Sequence, residues 1–77
     1  MTVEEIKNLI LLFTGDVQFY YKGEHAFIDP LCNKGIDKFV VCWNDKSKTY
    51  FDIDELMNDT FFNGKALCEI VGEIELI

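Results

Sequence analysis

The stretch from Phe39 to Phe51, FVVCWNDKSKTYF, constrains the fold of this chain more than any other. Phe39 to Trp43 is a run of β-branched, aromatic and small apolar residues, Asn44 to Ser47 is polar turn material, and Lys48 to Phe51 resumes with Thr and Tyr. That is the pattern of a β-hairpin. A loop centred on Asp45 and Lys46 sets Trp43 opposite Lys48, Cys42 opposite Thr49, Val41 opposite Tyr50 and Val40 opposite Phe51. One face then carries Phe39, Val41, Trp43 and Tyr50; the other carries Val40, Cys42 and Phe51, smaller on average and suited to packing under a helix. A strand that is apolar on both faces is covered on both, either by the rest of the chain or by a second molecule.

The chain before this hairpin supplies a helix and a further hairpin. Thr2-Val3-Glu4-Glu5 has the form of a capping box, in which Thr2 accepts from the N–H of Glu5 and the Glu5 carboxylate reaches back. Val3, Ile6, Leu9, Ile10 and Phe13 follow at helical spacing, with Gly15 as the stop. Leu11 and Leu12 fall off that stripe and are read as wide-face core residues. Val17 to Tyr21 and Glu24 to Ile28 flank Lys22-Gly23, a two-residue hairpin connection. Its register puts Val17, Phe19, Ala26 and Ile28 on a core face and Gln18, Tyr20, His25 and Phe27 on a wetter one. Asp29-Pro30 is expected to end the strand, leaving Leu31 to Lys38 as irregular chain.

After the central hairpin, Asp52 caps a short helix, with Glu55 three residues on and Phe51 placed to staple to Leu56. Asn58, Asp59 and Thr60 end it. The tail fits two periods. Divided at Gly72, it gives a helix over Lys65 to Val71 capped by Asn63, then an edge strand over Glu73 to Ile77; the alternative is one strand from Ala66. The predicted fold is therefore a single α+β domain, residues 1–77: a small antiparallel sheet of two hairpins plus a short C-terminal strand, an N-terminal helix across its aliphatic face, and two short helices. The element order is α-β-β-β-β-α-α-β.

Function is far less constrained. A net charge of -7 and a pI near 4.4 disfavour direct binding to nucleic-acid phosphates and to anionic membranes. The longest apolar stretch, Leu9 to Phe13, is too short to span a bilayer, and no basic segment precedes it, so the chain reads as cytoplasmic. Three cysteines, Cys32, Cys42 and Cys68, form no CxxC pair and read as reduced thiols. With His25 they make a nominal Cys3His set, but no two of the four are close in sequence, and structural zinc sites draw ligands in close pairs. Asp52-Ile53-Asp54 begins like a calcium loop and lacks the glycine and later acidic positions of one. No metal or other cofactor is expected.

Asp52, Asp54 and Glu55 as a carboxylate pair, Cys32 with His25 as thiol and base, and Asn63-Gly64-Lys65 as an anion site are coincidences of residue type without a supporting motif. The aromatic residues Tyr20, Phe27, Trp43 and Tyr50 differ, because the two hairpin registers place all four away from the aliphatic core side. They form a candidate interaction face, with the competing reading that the Trp43 side is a second core layer under the C-terminal segment. The leading function is a non-catalytic interaction or regulatory domain that binds a protein partner or forms a homodimer. The alternatives are an acidic inhibitor mimicking nucleic acid, of the phage type, and a small enzyme or enzyme subunit; the small acidic build suits an accessory protein of a bacterium or its phage. Since neither a metal nor a disulfide is assigned, circular dichroism should be unchanged by excess chelator and by reductant. Unfolding on chelation would restore the Cys3His reading.

Overall fold

The computed structural model describes residues 1–77. Helix α1 (Val3–Leu11) is followed by strands β1 (Val17–Tyr21), β2 (Glu24–Asn33), β3 (Ile36–Trp43) and β4 (Lys46–Tyr50). Helices α2 (Ile53–Asn58) and α3 (Leu67–Ile70), a single 3-10 turn over Val71–Glu73, and strand β5 (Glu75–Leu76) complete the chain. The strands form one antiparallel sheet in the order β4-β3-β2-β1-β5. All helical material lies on one of its faces, so the protein is a two-layer α+β domain.

Three two-residue turns set the registers of the first four strands. Lys22-Gly23, Lys34-Gly35 and Asn44-Asp45 each have positive φ at both central residues (52° and 76°, 54° and 76°, 50° and 63°), the geometry whose twist matches that of paired strands. The first turn gives the predicted register, Val17 opposite Ile28 and Phe19 opposite Ala26. The third falls one residue earlier than the predicted loop, on Asn44-Asp45, so Trp43 pairs with Lys46, Val41 with Lys48 and Phe39 with Tyr50. Every predicted pair of that hairpin therefore moves by two residues. Because side chains alternate with period two, an even shift leaves each residue on its predicted face.

The second turn overturns the expectation of irregular chain over Leu31 to Lys38. β2 runs through Pro30 to Asn33 and pairs with β3 throughout, Pro30 opposite Phe39 and Leu31 opposite Lys38. β1 pairing stops at Ile28, so at Pro30 the strand has a neighbour on one side only, where a residue without an N–H is tolerated. Beyond both neighbours, Leu31 to Lys38 projects as a two-stranded arm. Ten β2 residues at about 3.4 Å each span about 34 Å, and the molecule is 35 Å along its longest axis.

This turn also decides which faces coincide. Ala26 lies opposite Trp43 and Ile28 opposite Val41, so Val17, Phe19, Ala26 and Ile28 share a face with Phe39, Val41, Trp43 and Tyr50, and all are buried. The expectation that Val40 and Cys42 pack under the helix is corrected: they lie on the opposite, half-buried side. The Trp43 side is core, covered by Ile6 and Ile10 of α1, Leu56 and Met57 of α2, and Phe62, Leu67 and Ile70. Phe62 sits centrally, its ring centroid 5.4 Å from Trp43, 5.9 Å from Tyr21 and 6.1 Å from Phe19. The Trp43 indole N–H donates to the Tyr21 carbonyl at 3.3 Å, which satisfies the one polar atom of that ring inside the core.

The capping box of α1 forms in both directions, Thr2 Oγ1 accepting from the Glu5 N–H at 3.2 Å and Glu5 Oε1 from the Thr2 N–H at 2.9 Å. The helix ends at Leu11, and Phe13 rather than Gly15 makes the left-handed turn (φ 53°). Its ring is held 5.7 Å from Phe39, a contact that offsets the strain of that conformation in a bulky residue. Leu11 and Leu12 are exposed, not core, because α1 buries only the narrow Ile6–Ile10 stripe. Asp52 caps α2 by accepting from the Asp54 N–H at 2.7 Å; Phe51 points outward, 66% exposed, and makes no staple.

In the tail, Asn63-Gly64 is a tight turn (φ 53° and 81°) closing a bridge between Phe62 and Lys65, not a helix cap. α3 starts later, at Leu67, where Glu69 Oε1 accepts from the Ala66 N–H at 2.8 Å. The chain passes Gly72 in the 3-10 turn and reaches the β1 edge, where Leu76 pairs with Phe19. Asp59, the residue after α2, accepts from Lys48 Nζ at 2.7 Å and from the Tyr50 hydroxyl at 2.6 Å, tying the helical layer to the β4 edge. Burial, then the Asp59 carboxylate, push the Tyr50 phenol far above its ordinary value, while Lys48 and Tyr50 hold the Asp59 carboxyl below its own.

Phe62→Ala empties the centre of the aromatic cluster and should destabilise the domain by about 3–5 kcal/mol, whereas Phe51→Ala should stay within about 0.5 kcal/mol. Urea midpoints of the two variants measure both. Similar midpoints would mean that Phe62 does not close the core.

Candidate functional site: the open face of the sheet

Alternation along the strands leaves a second face with no helix over it. β1 contributes Gln18 and Tyr20, β2 contributes His25, Phe27 and Asp29, and β3 contributes Val40 and Cys42, with Ser47 and Thr49 of β4 at one side. Phe27, Asp29, Val40 and Cys42 are half-buried by one another, and Tyr20 is 43% exposed. Strands about 4.8 Å apart and 3.4 Å per residue give this face about 400 Å² of flat area. It holds a depression of about 310 Å³ between His25, Phe27, Cys42 and the Asn44-Asp45 turn.

The four aromatic residues singled out from the sequence are divided between the two sides. Tyr20 and Phe27 lie on the open face. Trp43 and Tyr50 are 2% and 1% exposed in the core, so the structure does not bring the four together. Val40, Gln18 and Asp29 take their places beside Tyr20 and Phe27. The signal that finds them is the Lys34-Gly35 turn, which fixes how one hairpin lies against the other.

His25 stands between the two aromatics, its ring 5.7 Å from Tyr20 and 6.2 Å from Phe27. Its Nε2 is 3.1 Å from Gln18 Oε1, an amide that orients the ring and takes no proton. Cys32 is at the far end of β2, roughly 23 Å along the strand by the rise per residue, so the thiol and base pairing suggested by residue type is not assembled. The neighbouring Asp37 carboxylate, through hydrogen bonding first, raises the Cys32 thiol above its ordinary value, which leaves less of the reactive thiolate. Of the acidic trio, Asp52 caps α2 and Asp54 is paired with Lys7 at 3.0 Å. Asn63-Gly64-Lys65 is a hairpin-type turn, which removes the helix start that an anion site there would need. No group of three or more His, Cys, Asp or Glu side chains converges as metal ligands would. No helix is long and apolar enough to cross a membrane.

One charged feature on this face departs from the usual rules of a sheet. Asp16 precedes Val17 and Asp29 follows Ile28, and those two are cross-strand partners. Asp16, just before the ladder begins, and Asp29, just beyond its last pair, therefore stand at the same end of the β1–β2 ladder. Like charges in this relation destabilise a sheet. The two ion pairs of the protein, Lys7–Asp54 and Lys48–Asp59, leave both of these carboxyls without a cation. Partial burial, then Asp16, push the Asp29 carboxyl above its ordinary range.

Compared with known proteins, the chain matches no family model, no characterised protein and no solved structure. Its function is therefore argued from the geometry alone: a shallow face of half-buried apolar side chains with an unpartnered acidic pair at one corner, suited to contact with another surface.

The sign of the Asp29 shift sets a prediction. A carboxyl raised in the folded state binds its proton more tightly there, so its contribution to stability is complete below the ordinary value and is lost as pH rises through the raised one. Asp29→Asn should therefore raise the denaturation midpoint at neutral pH and leave it nearly unchanged near pH 3, where the Asp29 carboxyl is protonated in the folded chain. A lower midpoint at neutral pH would show that the carboxylate is stabilising where it stands.

Proposed function

We propose that this protein is a non-catalytic interaction module whose open sheet face binds a basic protein partner. The single observation that carries the reading is that face: Phe27, Val40 and Cys42 are half-buried and Tyr20 exposed on the one side of the sheet that no part of the chain covers. Contiguous apolar surface of this kind marks contact sites. Its size indicates a transient contact, because about 400 Å² is half of what each partner gives to an interface of standard size, and obligate homodimers bury more still.

The charge supports a basic partner. Of the seven lysines, Lys7 and Lys48 are paired with carboxylates, and Lys46 and Lys22 lie over the Trp43 and Tyr21 rings. The fourteen acidic residues are mostly unpaired, and a field of that sign steers a cationic surface and opposes a second copy. The nucleic-acid mimic has less in its favour. Its carboxylates would need one common surface, whereas Asp54 and Asp59 are neutralised by lysines and Asp16 and Asp29 lie on the open face. Three free cysteines fit a reducing compartment, and we place the module in the cytoplasm, as a regulatory accessory protein of a bacterial cell or its phage.

The test uses surface variants that leave the core intact. A partner bound by the native chain and purified should lose at least ten-fold in affinity with the Tyr20→Ser/Phe27→Ser double variant. It should bind Phe51→Ser, exposed elsewhere, as it binds the native chain. Equal binding to the double variant and the native chain would move the contact off this face and end the reading.

A further inference from the structure

We infer that Asn63 is a site of spontaneous deamidation, at which the chain rebuilds its own backbone and loosens the Phe62 core. Of the five asparagines only Asn63 is followed by glycine, the one neighbour with no side chain to obstruct its own amide nitrogen. The turn leaves the reacting groups free. Its hydrogen bonds run from Asn63 N–H to the Phe61 carbonyl at 3.2 Å and between Phe62 and Lys65 at 3.0 and 3.1 Å, so the Gly64 N–H and the Asn63 carboxamide are engaged in none. Both residues are exposed, and nothing lies within 4 Å of the place a Gly64 Cβ would take. The other amides are hindered. Asn58 Nδ2 donates to the Asp54 carbonyl at 2.8 Å and its Oδ1 accepts from the Cys68 thiol at 3.6 Å. Asn8 lies inside α1 and Asn33 at the end of β2. Asn44 is in a similar turn (φ 50°), but Asp45 brings a side chain and a negative charge to the nitrogen that would attack.

The Gly64 amide gives its proton to hydroxide, and the nitrogen attacks Asn63 Cγ. A C–N bond forms, the bond from Cγ to Nδ2 breaks, and ammonia leaves with a proton from water; a succinimide ring closes with no change of oxidation state. Water then opens the ring. Entry at Cγ gives aspartate on the original backbone. Entry at the Asn63 main-chain carbonyl breaks its bond to Gly64, and the chain thereafter runs through Cβ and Cγ as an isoaspartyl link, with one extra main-chain carbon and a free carboxylate. A two-residue turn has no slack for that carbon. Asn63 and Gly64 hold φ 53° and 81° to close the Phe62–Lys65 bridge, Phe62 is buried immediately before the turn, and Ala66 and Leu67 are buried immediately after Lys65. The longer link therefore displaces a core residue on whichever side the backbone yields, and α2 and α3 are too short to stay ordered without that packing. Closing the ring requires only that the exposed turn open, a local event that leaves the rest folded. The chain thus carries a delayed loss of stability, and such losses lower abundance through proteolysis.

The experiment incubates the purified chain at physiological temperature, beside the blocked peptide Phe-Asn-Gly-Lys, in buffers of neutral and mildly alkaline pH. Peptide mapping by mass spectrometry should find Asn63 converted, heavier by the difference between a hydroxyl and an amino group, at a rate proportional to hydroxide. That rate should lie within about ten-fold of the peptide's, the range that a local opening imposes. Asn8, Asn33, Asn44 and Asn58 should remain amides over the same period. Asn63→Gly, which suits positive φ, should gain no mass at this turn and keep its urea midpoint through the incubation. The isoaspartyl fraction, separated by chromatography from the aspartyl one of equal mass, should unfold at a lower urea concentration than fresh protein. Asn63→Asp, which reproduces the aspartyl product on an unaltered backbone, should unfold with fresh protein. Conversion several powers of ten slower than in the peptide, the factor that reaction through global unfolding imposes, would overturn the inference. So would earlier loss of another amide, or an isoaspartyl fraction with the midpoint of fresh protein.

Discussion

The structure depends on the Phe62 ring being held against Trp43, Tyr21 and Phe19. A chain of 77 residues can bury only one face of a five-stranded sheet, and the helices available are short: six residues in α2 and four in α3. Elements of that length have no independent stability and are ordered only by packing. Phe62 is what they pack around. The Asn63-Gly64 turn reverses the chain immediately after it, so Leu67 and Ile70 return to the same aromatic cluster. Asp59 fixes the other end by holding Tyr50 and Lys48 together at the sheet edge. The core is thus closed mainly by the C-terminal third, with α1 contributing Ile6 and Ile10.

Closing one face in this way determines what happens at the edges. β4 is an outer strand with one open side, the type of element that recruits other chains. Its core-side positions are Lys46, Lys48 and Tyr50, and the two ammonium groups lie over aromatic rings, Lys46 5.3 Å from the Trp43 centroid and 5.8 Å from that of Phe61, and Lys48 5.3 Å from that of Tyr50. Edge lysines disfavour pairing with another copy of the same strand. At the opposite side β5 caps β1 for only two pairs, with Ile77 adding one further hydrogen bond to Gln18. The edges are guarded or short, and of the two sides of the sheet only the open face has no helix over it.

Much of the fold was legible because local chemistry is strong where the turns are two residues long. Lys22-Gly23 gave the register of the first hairpin outright, and Asp52 and the Thr2-Glu5 pair marked helix starts that form as read. The second hairpin tolerated a misplaced turn because the error was even. Pro30 is the residue that conceals the rest of β2. Proline argues against a strand interior, yet here it stands where β1 has ended, and discounting the strand hid the Lys34-Gly35 turn. Without that turn each hairpin had correct faces and nothing related one to the other. Alternation within each hairpin then groups Trp43 and Tyr50 with Tyr20 and Phe27, whereas the Ala26 to Trp43 pairing puts them on opposite sides. Alternation alone carries no information about which faces of two separate hairpins coincide. Leu11 and Leu12 differ from expectation for a related reason: the sequence displays their hydrophobicity but not the narrowness of the stripe that α1 can bury.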